Sequence, residues 1–185
     1  MSMFKRGASA ILIALLLSAC AQTAPVARYG LGKPLAAEAL RGWDIDVRAD
    51  GAGLPPGAGS VAQGKLIYLA QCASCHGASG TNGTASRLAG GMGSLAGKAP
   101  ILTVGSYWPY ATTLYDYIRR AMPFDKPQSL SAEQVYAVAA YVLHLNGIVG
   151  ADAVLDERTL PAIAMPNRGG FISDAVQPDG GSKTR

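Results

Sequence analysis

The stretch QCASCHGASG, residues 71–80, constrains this 185-residue chain more than any other feature. Cys72 and Cys75 are separated by two residues, and His76 directly follows the second cysteine. The third cysteine, Cys20, lies near the N-terminus. Two cysteines at this spacing bind zinc, form a redox-active pair, or attach a covalent group, and the rest of the sequence decides among these interpretations.

Zinc binding and thiol–disulfide exchange are the less favoured interpretations. A structural zinc site needs four ligands, and the adjacent Cys75 and His76 point in different directions. His144 is the other histidine of the chain, and the sequence contains no second CxxC and no HxxxH pattern. A thioredoxin-like pair needs alternating strands and helices around it, which this sequence does not indicate.

Covalent attachment of haem accounts for the whole motif. Two intervening residues let one short turn bring both thiols to the two vinyl groups of haem, and the next residue is then carried beneath the iron. We therefore predict one haem c attached through Cys72 and Cys75, with His76 as an axial iron ligand. Attachment of this kind takes place after export of the chain.

The N-terminal residues are typical of an export signal. Lys5 and Arg6 precede an apolar run over residues 8–17, which is too short to span a bilayer. The letters LSAC that follow resemble a bacterial lipoprotein cleavage site, although an ordinary signal peptide is the alternative. We expect a signal peptide over residues 1–19 and a lipid on Cys20, which would anchor the protein on the periplasmic side of a bacterial membrane.

The charge of the chain does not indicate a nucleic-acid partner. Sixteen Lys and Arg stand against twelve Asp and Glu, a formal net charge of +4. Removal of Lys5 and Arg6 with the leader lowers this to about +2, and no run of basic residues occurs. We therefore expect no nucleic-acid binding.

The pattern of apolar residues predicts an all-α domain over residues 60–150. Helical periodicity appears over residues 60–71, 111–121 and 132–146, and no segment predicts a strand. Residues 20–59 are rich in Ala, Gly and Pro and are predicted to form a tether, and residues 151–185 an irregular tail. The glycine-rich connection over residues 77–110 is reasonable only if it wraps a large cofactor.

Each predicted helix has a recognisable packing face or cap. Gly64 and Tyr68 lie one turn apart on the first helix. The apolar stripe of the second helix comprises Leu114, Tyr117, Ile118 and Ala121. Ser131 and Gln134 form a capping box at the start of the third helix. Before the domain, the segment GWDIDVRAD is expected to lie against it, because Trp43 would otherwise be exposed.

With these features the chain resembles the class I cytochromes c over residues 60–150. The matching features are a helix that runs into CxxCH, a middle helix followed by Met122, and a C-terminal helix. The resemblance implies three helices wrapped around one covalent haem, and packing of Gly64 and Tyr68 against Tyr141.

Met122 is the predicted sixth ligand of the iron. A thioether is a soft neutral ligand, and a His/Met pair raises the haem potential. Met92 and Met165 are the other methionines of the mature chain and the weaker candidates, and core packing is the alternative for all three. His144 is expected to be a surface or tail-contacting residue.

The resemblance also implies a set of residues around the haem. Pro100 would support His76 through its carbonyl group, and Leu102 would pack on the ring. Trp108 and Tyr110 would donate to the haem propionates. Arg87, Arg119 or Arg120 would offset the propionate charge. Core packing or a solvated surface position is the alternative for each of these residues.

A closer resemblance, over residues 29–171, is to the cytochrome subunits of periplasmic molybdenum sulfite and sulfur dehydrogenases of sulfur-oxidising bacteria. The stretches that carry it are GWDIDVRADGAGLPPGAGS, GSYWPYATTLYDYIRRAMPFDKPQSLS, EQVYAVAAYVLHLNGIV and MPNRGGF. It implies a protein that is not itself an enzyme. Such a protein takes electrons from the molybdenum subunit and passes them to another cytochrome or an oxidase.

Two other functions remain open at this point. The protein could carry electrons for another periplasmic dehydrogenase or oxidase. It could also be a haem enzyme or ligand sensor with a displaceable sixth ligand. The lipoprotein signal is a departure from a freely soluble subunit and leaves open whether the protein is a tight subunit or a membrane-held relay.

Overall fold

The computed structural model describes residues 29–172. The predicted signal peptide and Cys20 lie outside these residues, as does the end of the predicted tail. The chain divides into two compact units, Met1–Leu40 and Arg41–Arg185. In the described part of the first unit there is one short helix, α1, at Ala37–Leu40.

The second unit is mostly helical. Its elements are β1 (Ala58–Ser60), α2 (Val61–Gln71), α3 (Ala73–His76), α4 (Ala111–Ala121), α5 (Ala132–Leu145) and β2 (Val154–Asp156). The three predicted helices correspond to α2, α4 and α5, and α5 ends one residue early because Asn146 caps it. The connection over residues 77–110 has no helix or strand, as predicted. None of the described helices has the length and apolar character needed to cross a membrane.

Serine side chains start both α2 and α5. Ser60 Oγ accepts the backbone N–H of Gln63 at 3.2 Å, and Gln63 Oε1 accepts the backbone N–H of Ser60 at 3.0 Å. Ser131 and Gln134 make the same reciprocal pair, which confirms the predicted capping box. Each pair satisfies backbone donors that the first turn of a helix leaves without partners.

The contact between α2 and α5 requires a glycine. A Cβ atom on Gly64 would overlap the carbonyl oxygen of Ala137, so a residue without a side chain is needed there. One turn further along α2, Tyr68 is fully buried, and its ring centroid lies 5.2 Å from that of Tyr141. The predicted packing of Gly64 and Tyr68 against Tyr141 is therefore confirmed.

The buried stripe of α4 is shifted from the predicted one. Leu114 and Ile118 are buried as expected. Tyr117 is instead half exposed, because Trp108 covers one edge of its ring at a centroid distance of 5.7 Å and leaves the rest in solvent. The fully buried tyrosine is Tyr115, whose ring packs on a tyrosine of α5 at 4.5 Å.

The chain after α5 returns to the start of α2 and forms a small sheet. β2 pairs with β1 in antiparallel register, with Ala58 opposite Asp156. Leu155, Leu160 and Met165 are buried, so the described part of the predicted tail packs on the domain. The expectation that no strand is present was wrong, because strands of three residues are too short to show alternation in a sequence.

Residues 44–57, here called the N-terminal strap, contact α4 through residues 45–49 and reach α5 at Pro55, whose carbonyl accepts the hydroxyl of Tyr136. Ile45 is buried, and the backbone N–H of Val47 donates to Asp116 Oδ1 at 3.1 Å. The segment therefore lies against the domain, as predicted. The reason given for it was wrong, however, because Trp43 is 81% exposed and the contact begins at Ile45.

We expect Gly64→Ala to lower the free energy of unfolding by about 2–3 kcal/mol, because the added methyl group overpacks the α2–α5 contact. Helix propensity alone would favour alanine by about 1 kcal/mol. Denaturant unfolding measures the difference. Gly42→Ala is the control, since a Cβ atom there meets nothing within 4 Å. Equal stability of the two variants would contradict the prediction.

Candidate haem site

The CxxCH motif forms one helical turn at the end of α2. Cys72 ends α2, and α3 carries the motif to His76. The backbone N–H groups of Cys75 and His76 both donate to the carbonyl of Cys72, at 3.1 and 2.9 Å. Cysteines three positions apart in such a turn lie on the same side of it. Both thiols are free, and Cys72 is half-buried whereas Cys75 is exposed.

The ring of His76 is oriented by the loop after the motif. Its Nδ1 lies 2.8 Å from the carbonyl oxygen of Ser86, so Nδ1 carries a proton and donates it, and Nε2 of the neutral ring remains available for iron. The expectation that the carbonyl of Pro100 makes this bond was wrong. The other histidine, His144, is partly buried, and its Nδ1 lies 3.1 Å from the carbonyl oxygen of Val149, two residues before the predicted tail.

A tight return of the chain brings Ser86 to this position. The backbone N–H of Ala85 donates to the carbonyl of Cys75 at 2.8 Å. Gly83 lies so close to the same carbonyl that a Cβ atom would overlap it. Gly77 starts the return with a φ of 78°, in the left-handed region that favours glycine. The loop therefore contacts the attachment turn through backbone groups alone.

Met122 directly follows α4 and borders the same core as the attachment turn. Met122, Cys72 and Trp108 are each partly buried against one hydrophobic cluster. The other two methionines considered from the sequence differ from it. Met92 is 54% exposed, and Met165 lies within the core. Met122 thus combines partial burial with packing against the same core cluster as Cys72.

The other predicted haem-contacting residues separate into two groups. Trp108 and Tyr110 are half-buried, and the guanidinium of Arg168 lies 5.3 Å from the centroid of the Tyr110 ring. Leu102 is 55% exposed, and Pro100 is also exposed. The structure therefore brings Trp108 to the core but leaves Leu102 and Pro100 on the surface of the polypeptide.

The N-terminal strap engages two arginines that were considered as partners of the haem propionates. Arg120 pairs with Asp116 at 3.0 Å and with Asp46 at 2.6 Å. The Nη1 group of Arg119 donates to the carbonyl of Ile45 at 3.5 Å. The hydrogen bond with Asp116 is the main cause that raises the pKa of Arg120, so this side chain stays charged. Both arginine side chains therefore bind the strap.

Sequence reasoning missed the end of the described chain as a neighbour of the predicted haem segment. Asn167 Nδ2 donates to the carbonyl of Tyr107 at 2.7 Å, and the ring of Phe171 packs on the edge of the Tyr107 ring at 5.2 Å. Arg168 lies over Tyr110 in the same stretch. The letters MPNRGGF were noted in the sequence, but their contacts could not be read from it.

The donor groups fit a covalently attached haem. Two thiols one turn apart match two vinyl groups, and the imidazole of His76 and the thioether of Met122 are of the kinds that ligate haem iron. Burial, with a smaller contribution from Cys75, raises the pKa of Cys72 to about 11, so Cys72 is a neutral thiol at physiological pH.

Comparisons with known proteins give the family of the chain. A family model described as cytochrome C oxidase, cbb3-type, subunit III matches residues 59–142. A chain in the crystal structure of the sulfane dehydrogenase SoxCD from Paracoccus pantotrophus is 43% identical, with a TM-score of 0.75. That match covers 80% of this chain and 73% of the other. No curated protein gave a significant match.

The attachment turn, the mostly helical fold and these similarities together define the class: the chain belongs to the cytochrome c family. More narrowly, it is a monohaem electron-transfer cytochrome that resembles the cytochrome subunit of sulfur-compound dehydrogenases. Its cofactor is one covalently bound haem c.

We expect Arg120→Gln to lower the free energy of unfolding by about 1 kcal/mol, because it removes the ion pairs with Asp46 and Asp116 at a partly exposed site. Arg48→Gln is the matched control, since Arg48 pairs with Asp50 at 3.7 Å and both side chains are well exposed. Chemical denaturation measures the free energy of unfolding of both variants. A large change in haem potential without a loss of stability would contradict the assignment of Arg120 to the strap.

In the reduced, haem-free chain we expect Cys75 to react with iodoacetamide at pH 8 while Cys72 stays largely unmodified. The thiolate is the reacting form, and a thiol with a pKa of about 11 is about one part in a thousand thiolate at pH 8. Reaction of Cys72 should accelerate as the pH rises toward 11. Peptide mass mapping over this pH range measures both rates, and equal rates at pH 8 would contradict the prediction.

Proposed function

We propose that the protein is a periplasmic, membrane-anchored cytochrome that transfers single electrons from a molybdenum sulfite or sulfur-compound dehydrogenase to the respiratory chain. The observation that carries the proposal is the 43% identity to the sulfane dehydrogenase chain over 80% of this protein. The general cytochrome model matches only residues 59–142. The dehydrogenase similarity therefore extends beyond the part that a generic carrier needs.

In this proposal Cys72 and Cys75 would attach the haem, and His76 and Met122 would ligate its iron. The bound haem supplies one-electron chemistry at the iron. The bond from His76 Nδ1 to the carbonyl of Ser86 fixes the ring and makes Nε2 a stronger donor. Met122 favours the reduced state as a soft neutral ligand. Two axial ligands leave no site for substrate, which favours a carrier over an enzyme.

The surroundings of the haem belong to the same proposal. Trp108 and Tyr110 supply N–H and O–H donors for propionates, and Leu102 packs on the ring. Arg168, whose guanidinium lies over Tyr110, takes the place of the arginines that the strap engages.

The membrane anchor and the order of transfer complete the proposal. A lipid on Cys20, after removal of residues 1–19, holds the protein to the membrane through the part of the predicted 20–59 tether that precedes the strap. The cytochrome domain keeps residues 60–150 as its core, and residues 151–172 pack on it. The electron acceptor is another cytochrome or an oxidase.

We expect Met122→Ala to lower the reduction potential of the haem and to let imidazole or carbon monoxide bind the iron. The reason is that the soft ligand is lost and a coordination position opens. Met92→Ala is the control, because Met92 is 54% exposed and should leave both properties unchanged. Redox titration and ligand-binding spectra measure the two effects. An unchanged potential and spectrum in Met122→Ala would rule out Met122 as the ligand.

Reduction by sulfite tests the proposed donor. The protein is enriched gently from detergent-solubilised native membranes, oxidised, and mixed with sulfite while the reduced c-type absorption band is followed. We expect rapid reduction that disappears when further purification removes the molybdenum subunit and returns when it is added back. Dithionite reports the total reducible haem. Full reduction by dithionite with none by sulfite, in the presence of that subunit, would reject the proposed donor.

A further inference from the structure

The hydroxyl group of Tyr68 connects the buried core to the haem-attachment turn. Tyr68 is fully buried in α2, and its ring packs on Tyr141 at 5.2 Å. The hydroxyl donates to the carbonyl of Gly77 at 2.9 Å. Burial raises the pKa of Tyr68 to about 12, so this donor keeps its proton. Packing alone would be served equally well by phenylalanine, and the hydroxyl therefore has a separate role.

Gly77 is the residue that directly follows His76, and its position determines where the chain leaves the turn. Its backbone N–H donates to the carbonyl of Ala73 at 2.8 Å, and its carbonyl also accepts the N–H of Gly80 at 3.1 Å. Both of these bonds join the turn to its own neighbours in sequence. The bond from Tyr68 differs, because it fixes the turn to the core formed by α2 and α5.

The opposite side of the turn is bonded to the loop that follows the motif. The ring of His76 donates to the carbonyl of Ser86, and the N–H of Ala85 donates to the carbonyl of Cys75, at 2.8 Å in each case. Ser86 lies in a loop without helix or strand, and this loop is held to the end of α5 two residues further on, where Asn146 Nδ2 donates to the carbonyl of Leu88 at 3.0 Å. A turn that shifts relative to the core changes the length and direction of the His76 bond.

We propose that Tyr68 is a positioning residue that holds the turn carrying His76 and so maintains the hydrogen bond from His76 Nδ1 to Ser86. This inference rests on the proposed role of His76 as an iron ligand. A strong bond at Nδ1 makes the imidazole a better electron donor and stabilises ferric iron, so it keeps the potential low. Loss of the Tyr68 hydroxyl weakens that bond and raises the potential.

The test compares Tyr68→Phe with Tyr136→Phe in the holoprotein. Tyr136 is a matched control because it is also fully buried, packs on another tyrosine, and donates to a backbone carbonyl at 2.9 Å. That carbonyl belongs to Pro55 in the N-terminal strap and not to the attachment turn. Both variants lose one buried hydrogen bond, so we expect similar losses of stability in denaturant unfolding.

We expect only Tyr68→Phe to shift the midpoint of a spectroelectrochemical titration to higher potential. The same variant should change the low-spin electron paramagnetic resonance signal of the ferric haem, which reports the ligand field of His76. Equal midpoints in the wild type and Tyr68→Phe, or an equal shift in Tyr136→Phe, would overturn the inference.

Two further measurements keep the test decisive. If Tyr68→Phe yields no holoprotein, p-aminophenylalanine at position 68 restores a donor at the same place. Recovery of the wild-type potential then supports the inference, and failure to recover it overturns the inference. A failure of the proposed function is visible separately, in the wild type, as an absence of covalent haem or of axial His76.

Discussion

The close approach of α2 to α5 is the constraint on which the haem site depends. Gly64 lets the two backbones meet, and Tyr68, one turn further, then reaches both the core and the carbonyl of Gly77. Cys72 follows Tyr68 after one more turn of the same helix. The contact between α2 and α5 therefore determines where the attachment motif lies. A larger residue at position 64 would displace the whole end of the helix, together with both thiols.

Much of this arrangement could be predicted because it depends on local patterns. Helical periodicity and the Ser131–Gln134 cap are determined by nearby residues, and the structure has the three helices almost where the sequence predicts them. The CxxCH motif is equally local, since one turn contains every group that it needs. The Ser60–Gln63 box shows the same spacing and could have been recognised in the same way.

The remaining features depend on contacts between distant parts of the chain or on backbone groups, which are the same in almost every residue. The partner of His76 is the backbone carbonyl of Ser86. Every residue has such a carbonyl, so the identity of the residue at position 86 does not predict this bond. The choice of Tyr115 over Tyr117 as the buried tyrosine depends on where α5 lies. The strand β1 pairs with β2, which lies about a hundred residues further along the chain. The strap contacts α4, which lies about seventy residues further along.

The N-terminal strap determines how the domain responds to mechanical tension. A pull on the chain ahead of residue 44 first meets the contacts that Ile45, Asp46 and Val47 make with the side of α4. These contacts join three consecutive residues of the strap to α4. The attachment turn begins at Cys72, beyond β1 and the whole of α2. A pull on the upstream chain therefore meets the strap before it reaches the attachment turn.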